Sequence, residues 1–452
     1  MQTVQNCLND PTTALDRTLR LMRDEMSSKV ADRDLLDALT GSEIALVADA
    51  ATLQSHSCQT AFVTAALLTA RSGHTVYLVA PDVPLVGKQP PLSKDSLMSA
   101  LIDVGRDLIP GIEFRTGPPT HAIDAAVLFG GSEWKGSADV VFRAGSTAWR
   151  GWISPAHEVN QWPSDGWPVG ALAAADLVAS EAFKIAMRKL RRFATHPGIF
   201  DELFAESPRA VFRLAPEGTP ARCELGAFDI ISGGAIAQAA LFTFARIQGA
   251  TARVRVIEPD ISEISNLNRN MFLRRSRLGV AKARDIAEQG MDSISVMPIE
   301  TRYKGSSETK LGGLMPSVLV GVDHIPTRWA VQRMQPAWLG VGATSHYLAM
   351  CSFHTRNLPC AGCLHPHDDA SKDPIPTVAF VSYAAGLMVA SRYLYHLGTG
   401  QLPSEEQQLI FRPLRPERPW RSRVAARTDC PVNCRSSKSI EIVGNNPQTP
   451  VP

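Results

Sequence analysis

A strand–turn–helix–strand pattern occurs twice in this chain, and no other feature constrains the fold as much. The first copy runs from Glu43–Asp49 through a polar loop and the apolar stretch Ala61–Ala70, past Gly73, to Thr75–Val83. The second runs from Phe228–Ser232 through a glycine loop and the apolar stretch Ala235–Ile247, past Gly249, to Val254–Ile261. An apolar strand, a Gly-terminated helix and a second apolar strand make a βαβ unit, with a right-handed crossover and parallel strands. The second strands align closely, VYLVAPDV over 76–83 and VRVIEPDI over 254–261. Later elements correspond as well: Ile123–Phe129 with Ser317–Val322, and the alanine-rich helices Leu172–Leu190 and Val381–Leu397. The repeat predicts an α/β chain of tandem Rossmann-like, doubly wound, mostly parallel sheets. A helical lead-in (1–29) precedes a first domain (30–195), a connector (196–221), a second domain (222–400) and an Arg/Pro-rich tail (401–452), extended over 411–423.

Composition agrees with this and excludes several functions. Of 452 residues, 44% are hydrophobic and 20% charged, which suits buried cores rather than disorder. The 46 basic and 44 acidic side chains leave a net charge of +2, so no nucleic-acid partner held by a basic excess is expected. No apolar run is long enough to span a membrane, and no membrane partner is expected. The first residues mix acids and bases without an apolar stretch, so the expected location is cytoplasmic. Eight cysteines are too sparse for a disulfide scaffold, and clustered cysteines in a reducing compartment point to metal.

The chemistry concentrates in the second copy. The loop Ser232-Gly233-Gly234-Ala235 lets backbone N–H groups approach a phosphate at a helix N-terminus. Glu258 ends the second strand, 24 residues after Gly234, where an acid accepts hydrogen bonds from ribose hydroxyls. A nicotinamide dehydrogenase would share these features. It has no use for the residues downstream: Asp260, then Asn266 and Arg269 in the run SNLNRN, then Lys282 in GVAKA. With these residues the chain resembles the ubiquitin-activating, ThiF and MoeB-like adenylyltransferases over roughly residues 225–400. That family joins a glycine loop, D-x-D, S-N-L-x-R-Q and G-x-x-K-A. Adenylation of a carboxylate builds negative charge on the α-phosphate, so catalysis is mostly positioning and electrostatic stabilisation. Arg269 offers a planar fork for phosphate oxygens, Lys282 a point charge, and Asn266 a neutral hydrogen bond to nucleotide.

The apolar strand 318–322 runs into Asp323, at the carboxyl end of a parallel strand. The resemblance implies that this aspartate binds the magnesium bridging the nucleotide phosphates; Asp323-His324 stands where the family has Asp-Asn. Four further residues, Cys360, Cys363, Cys430 and Cys434, form two close pairs suited to a structural, tetrahedral zinc site. With 66 residues between the pairs, the metal would pin the tail to the domain. His365 and His367 are alternative ligands.

The chain also departs from the family. Ser232 and Ala237 replace the first and last glycines of the fingerprint. Thioester-forming members carry a cysteine between the CxxC and the alanine-rich helix, whereas residues 364–381 contain none and Thr377 stands near that place. Cys351 reads as core. The first copy has Ala80 in the place of Glu258 and Gly130 in the place of Asp323, so it keeps the scaffold without the chemistry. The resemblance implies an inactive-plus-active pair, either an intramolecular pseudo-dimer or a homodimer, in which one unit lends an arginine to the other; Arg33 is the candidate.

The expectation is an enzyme that uses ATP, Mg2+ and a structural Zn2+. It would adenylate the C-terminal carboxylate of a ubiquitin-like or sulfur-carrier protein, or of a peptide, without a conventional thioester cysteine. The alternatives are an NAD(P)-dependent oxidoreductase and a non-catalytic scaffold.

Overall fold

The computed structural model describes residues 10–434, apart from 159–161, 164–165, 306–310, 369–374, 402 and 417–418. The beginning of the expected lead-in (1–9) and the end of the expected tail (435–452) lie outside the described residues.

A lead-in helix, α1 (Asp16–Arg23), buries Thr18, Leu19, Leu21 and Met22 and leaves Arg20 and Arg23 exposed. The first sheet then forms from β1 (Glu43–Val47), β2 (Thr75–Val79), β3 (Phe114–Thr116), β4 (Ile123–Phe129), β5 (Ala138–Ser146), β6 (Arg150–Pro155) and β7 (Ala210–Arg213). The second is built from β8 (Glu224–Ile231), β9 (Thr251–Ile257), β10 (Ile294–Ile299), β11 (Ser317–Val320), β12 (Trp338–Ser345), β13 (Leu348–His354), β14 (Gln408–Phe411) and β15 (Trp420–Ser422).

The strand orders are β3-β2-β1-β4-β5-β6-β7 and β10-β9-β8-β11-β12-β13-β14-β15. Strand for strand, the second sheet repeats the first and adds β15. In each, the first five strands of the order are parallel, and the remainder run antiparallel. The chain is thus α/β with two mixed, mostly parallel sheets, as the repeat implies. Two segments do more than the sequence suggests. β7, in the expected connector, completes the first sheet by the alternation of buried Ala210 and Phe212 with exposed Val211 and Arg213. β14 and β15, in the expected tail, complete the second. Phe212 and Phe411 stack at 3.7 Å where these two additions meet.

The crossover helices are α2 (His56–Arg71) in the first half and α4 (Ala235–Ala245) in the second; each half closes on a long helix, α3 (Val169–Lys189) and α7 (Ala379–Thr399). α2 is buried along its whole length, and α3 and α7 over most of theirs. Polar side chains are buried on them too, Gln59 and Arg71 on α2 and Glu181 and Lys184 on α3. Here these helices lie between the two sheets in one continuous core containing both halves, with Phe183 of α3 against Phe380 of α7 at 5.5 Å. Two short helices bear on the site: α5 (Lys282–Ala287) and α6 (Ile325–Arg333). No helix among the described residues is long and apolar enough to cross a membrane.

Candidate active site

In the second sheet the strand order reverses between β8 and β11, since β9 lies on one side of β8 and β11 on the other. Such a switch point opens a crevice at the carboxyl ends of the strands, where open α/β sheets take their ligands. A cleft of about 330 Å3 lies there. Ser232, Gly234 and Ala235 line it from the β8–α4 turn, Glu258 and Asp260 from the end of β9, and Asn266, Arg269 and Asn270 from the following segment. Lys282 enters from the start of α5 and Asp323 from beyond β11. Asn266, Arg269, Lys282 and Asp323 therefore face one cavity.

The glycine turn is drawn in on itself. Both oxygens of Glu258 accept backbone N–H groups, one from Gly233 and one from Asp260 at 3.0 Å. Gly233 does not line the cleft; it stands behind, and a Cβ there would lie 2.8 Å from Cγ of Glu258 and 3.0 Å from Cβ of Lys282. What the chain needs at Gly233 is the missing side chain. Ser232 occupies the position of the fingerprint's first glycine with φ 135°, a value that favours glycine. Its Oγ accepts the Gly234 N–H at 2.9 Å, which helps to hold the turn.

Arg269 is held by neutral acceptors, whereas Lys282 pairs with a carboxylate. Arg269 donates to the Ser265 carbonyl and, at 2.7 Å, to Oδ1 of Asn268. Burial and the nearby charge of Arg17 push its guanidinium down to about 10, against the pull of Asp323, Asp16 and Glu263. Lys282 lies 3.4 Å from Asp260. Asp323 is exposed at the rim, and no hydrogen bond engages its carboxylate among the described residues. An oxygen ligand so placed suits a hard divalent cation.

Sequence reasoning missed Arg17. It projects from α1 into the cleft and donates to the Ile375 carbonyl at 3.2 Å; burial lowers its pKa. Arg33 is not the lead-in arginine of the site: it is 90% exposed and pairs with Asp37 on its own helix. Thr377 and Ser382 also line the cleft, sharing a hydroxyl–hydroxyl contact of 2.9 Å.

Among its described residues the first half shows no counterpart. Pairing registers with the central strand set Ile231 beside Val320 and Val47 beside Leu128. By that register Gly131, rather than Gly130, stands opposite Asp323, and neither carries a carboxylate. Asp49 stands opposite Gly233, and its Oδ1 accepts the Thr52 N–H at 2.7 Å. A carboxylate thus caps the short helix Ala50–Leu53 where the second half leaves room for an anion.

Away from the cleft, Cys360, Cys363, Cys430 and Cys434 bring their sulfurs within 4.8 Å of one another. Separations of 3.3 Å (Cys360–Cys430), 3.4 Å (Cys363–Cys434) and 3.8 Å (Cys360–Cys363) approach the edge of a tetrahedron with Zn–S bonds of about 2.3 Å. The donor set fits a structural zinc ion. Burial pushes the Cys430 thiol up, but N–H donors from Cys434 and Val432 outweigh it and bring it to about 7. Asn433, with φ 54°, takes up the extra residue of the CxxxC pair. His365 and His367 are not in the cluster; His365 accepts from Arg328 at 3.1 Å, and burial with the Arg328 charge pushes it down to about 4.

Comparison with known proteins gives three findings. The family model described as the BilD N-terminal domain matches residues 43–202. Uncharacterized protein y4jF of Sinorhizobium fredii (strain NBRC 101917 / NGR234) is 26% identical over 243 residues, 53% of this chain and 46% of that protein. The chain thus spans about half the length of the curated relative it matches. Among solved structures, E. coli MccB with ATP is 14% identical over 64% of this chain and 97% of that one, TM-score 0.39. E. coli MccB with MccA-N7isoASN is 13% identical over the same shares, TM-score 0.39. At such TM-scores no residue role passes from those structures to this chain.

Proposed function

We propose that the second half adenylates a carboxylate with ATP and Mg2+. The substrate would be the C-terminus of a ubiquitin-like or sulfur-carrier protein, or of a peptide. One observation carries the reading: Arg17, Asn266, Arg269, Lys282 and Asp323 line a single cleft at the switch point of a doubly wound sheet. Arg302 lines the same cleft, and so many cations beside an open carboxylate suit a triphosphate with its metal better than a dinucleotide.

In this reading the lone pairs left on Glu258 and the amide of Asn266 hold the nucleoside. Lys282, Arg269 and Arg17 face the triphosphate. Asp323 would hold the magnesium, which supplies charge neutralisation at the phosphates. The acyl carboxylate is already ionised and needs no general base. Its oxygen attacks the α-phosphorus, the bond to the bridging oxygen breaks, and pyrophosphate leaves as the acyl-adenylate forms. The cationic groups favour this step because they meet charge that grows on the α-phosphate and the leaving group. The adenylate then passes to an external nucleophile. Cys351 is buried and pushed up to about 12, which suits a core residue, and Thr377 bonds to Ser382 rather than to a base.

The test is ATP–pyrophosphate exchange with candidate acceptor proteins and peptides, beside thermal shifts with ATP–Mg2+ and with NAD. Carboxylate-dependent exchange is expected. A melting temperature raised by NAD and indifferent to ATP would identify the dehydrogenase instead.

A further inference from the structure

We infer that Arg71, in the first half and outside the cleft, is a positioning residue that sets the Arg269 segment of the second half. Its catalytic consequence rests on the adenylation reading; its structural content does not.

Arg71 ends α2 and is fully buried. Its Nη1 donates to the Leu267 carbonyl, and its Nη2 to the carbonyls of Met271 at 3.0 Å and Leu273 at 2.8 Å. These three acceptors bracket Arg269 and Asn270. The segment 264–273 has little regular structure of its own, a single 3-10 turn at Ile264–Asn266 followed by turns. Its shape is imposed from outside. Gln238 of α4 adds a second tie, accepting the Phe272 N–H at 3.0 Å while donating to the Gly233 carbonyl at 3.0 Å. Asn268 adds a third, donating to Thr18 of α1 at 3.0 Å and so linking the segment to the helix that carries Arg17. Of these ties, the Arg71 fork takes up the most acceptors. A rigid planar donor bridging three carbonyls is geometry a lysine cannot reproduce.

A natural control exists. Arg246, just past the end of α4, is equally buried and reaches the other way, donating to the Pro90 carbonyl of the first half at 2.8 Å. It touches no part of 264–273 by hydrogen bond among the described residues.

The experiment uses the full chain with Arg71→Lys, Arg71→Met and Arg246→Met. Backbone hydrogen–deuterium exchange over 264–273 and ATP–pyrophosphate exchange are read on each. Arg71→Met is expected to speed amide exchange in that segment by about tenfold and Arg71→Lys by less, as carbonyls lose charged donors. Arg246→Met should leave it unchanged. Turnover should fall by about tenfold in Arg71→Met, and by little further when Arg71→Met is added to Arg269→Ala, because one acts through the other. Unchanged amide exchange in both Arg71 variants, or equal loosening by Arg246→Met, overturns the inference. A wild-type chain without pyrophosphate exchange would sink the adenylation reading alone, and the amide data would still decide the role of Arg71.

Discussion

Arg17 and Arg269, 252 positions apart in the chain, face the same cleft, and the charge of the first helps to lower the pKa of the second. Two guanidinium groups held together in a partly enclosed space favour a polyanion between them. Removing either should therefore damage catalysis more than folding. Arg17→Ala and Arg269→Ala are each expected to lower ATP–pyrophosphate exchange by about 100-fold, with circular dichroism unchanged. Arg33→Ala should leave the rate as it is. Full activity in Arg17→Ala would remove the lead-in helix from the mechanism.

The glycine turn makes opposite predictions for adjacent positions. Ser232→Gly removes a side chain from a backbone conformation that glycine prefers, at the loss of the Oγ bond to Gly234. Strain of this kind is worth about 1–3 kcal/mol, so the urea midpoint should rise and exchange should persist. Gly233→Ala would drive a methyl group into Glu258 and Lys282, and ATP should no longer raise the melting temperature.

The cysteine cluster predicts about one zinc per chain by metal analysis of the purified protein. Cys430→Ser or a strong chelator should release it. Proteolysis should then cut within 424–434, because Val424, Cys430 and Val432 pack in the cluster's small apolar island. A chain purified without zinc and equally resistant to protease would show that the thiols act alone.

His74 predicts a pH dependence. It is fully buried, its Nδ1 facing the Leu39 carbonyl at 3.1 Å, and burial pushes it down from 6.5 to about 4. The folded state keeps it neutral, so its contribution is intact above pH 6.5 and is lost as the pH falls towards 4. Relative to His74→Gln, wild-type stability should drop by ~2 kcal/mol between pH 7 and pH 5. Denaturant titrations of both proteins at the two pH values measure it; parallel curves would mean that His74 titrates normally.

Much of the second half's cleft was legible because its residues fall in short, regularly placed runs. Glu258, Asn266, Arg269, Lys282 and Asp323 each follow or precede an element that hydrophobic pattern alone marks out. Arg17 was not legible. α1 is an ordinary amphipathic helix, and its arrival at the cleft depends on Thr18 meeting Asn268 and on residues 375–377 running beside it. The strands β7, β14 and β15 were missed for another reason: strands of three or four residues carry too little periodicity to stand out from connectors. The offset between Gly130 and Gly131 arose because two successive glycines leave no side chain to fix an alignment.

The helix that supplies Arg17 and the turn segment that supplies Arg269 belong to one polypeptide. A pocket completed within a single molecule does not depend on encounter between subunits. Specific activity should therefore stay constant on dilution, where a site shared between separate subunits would fade.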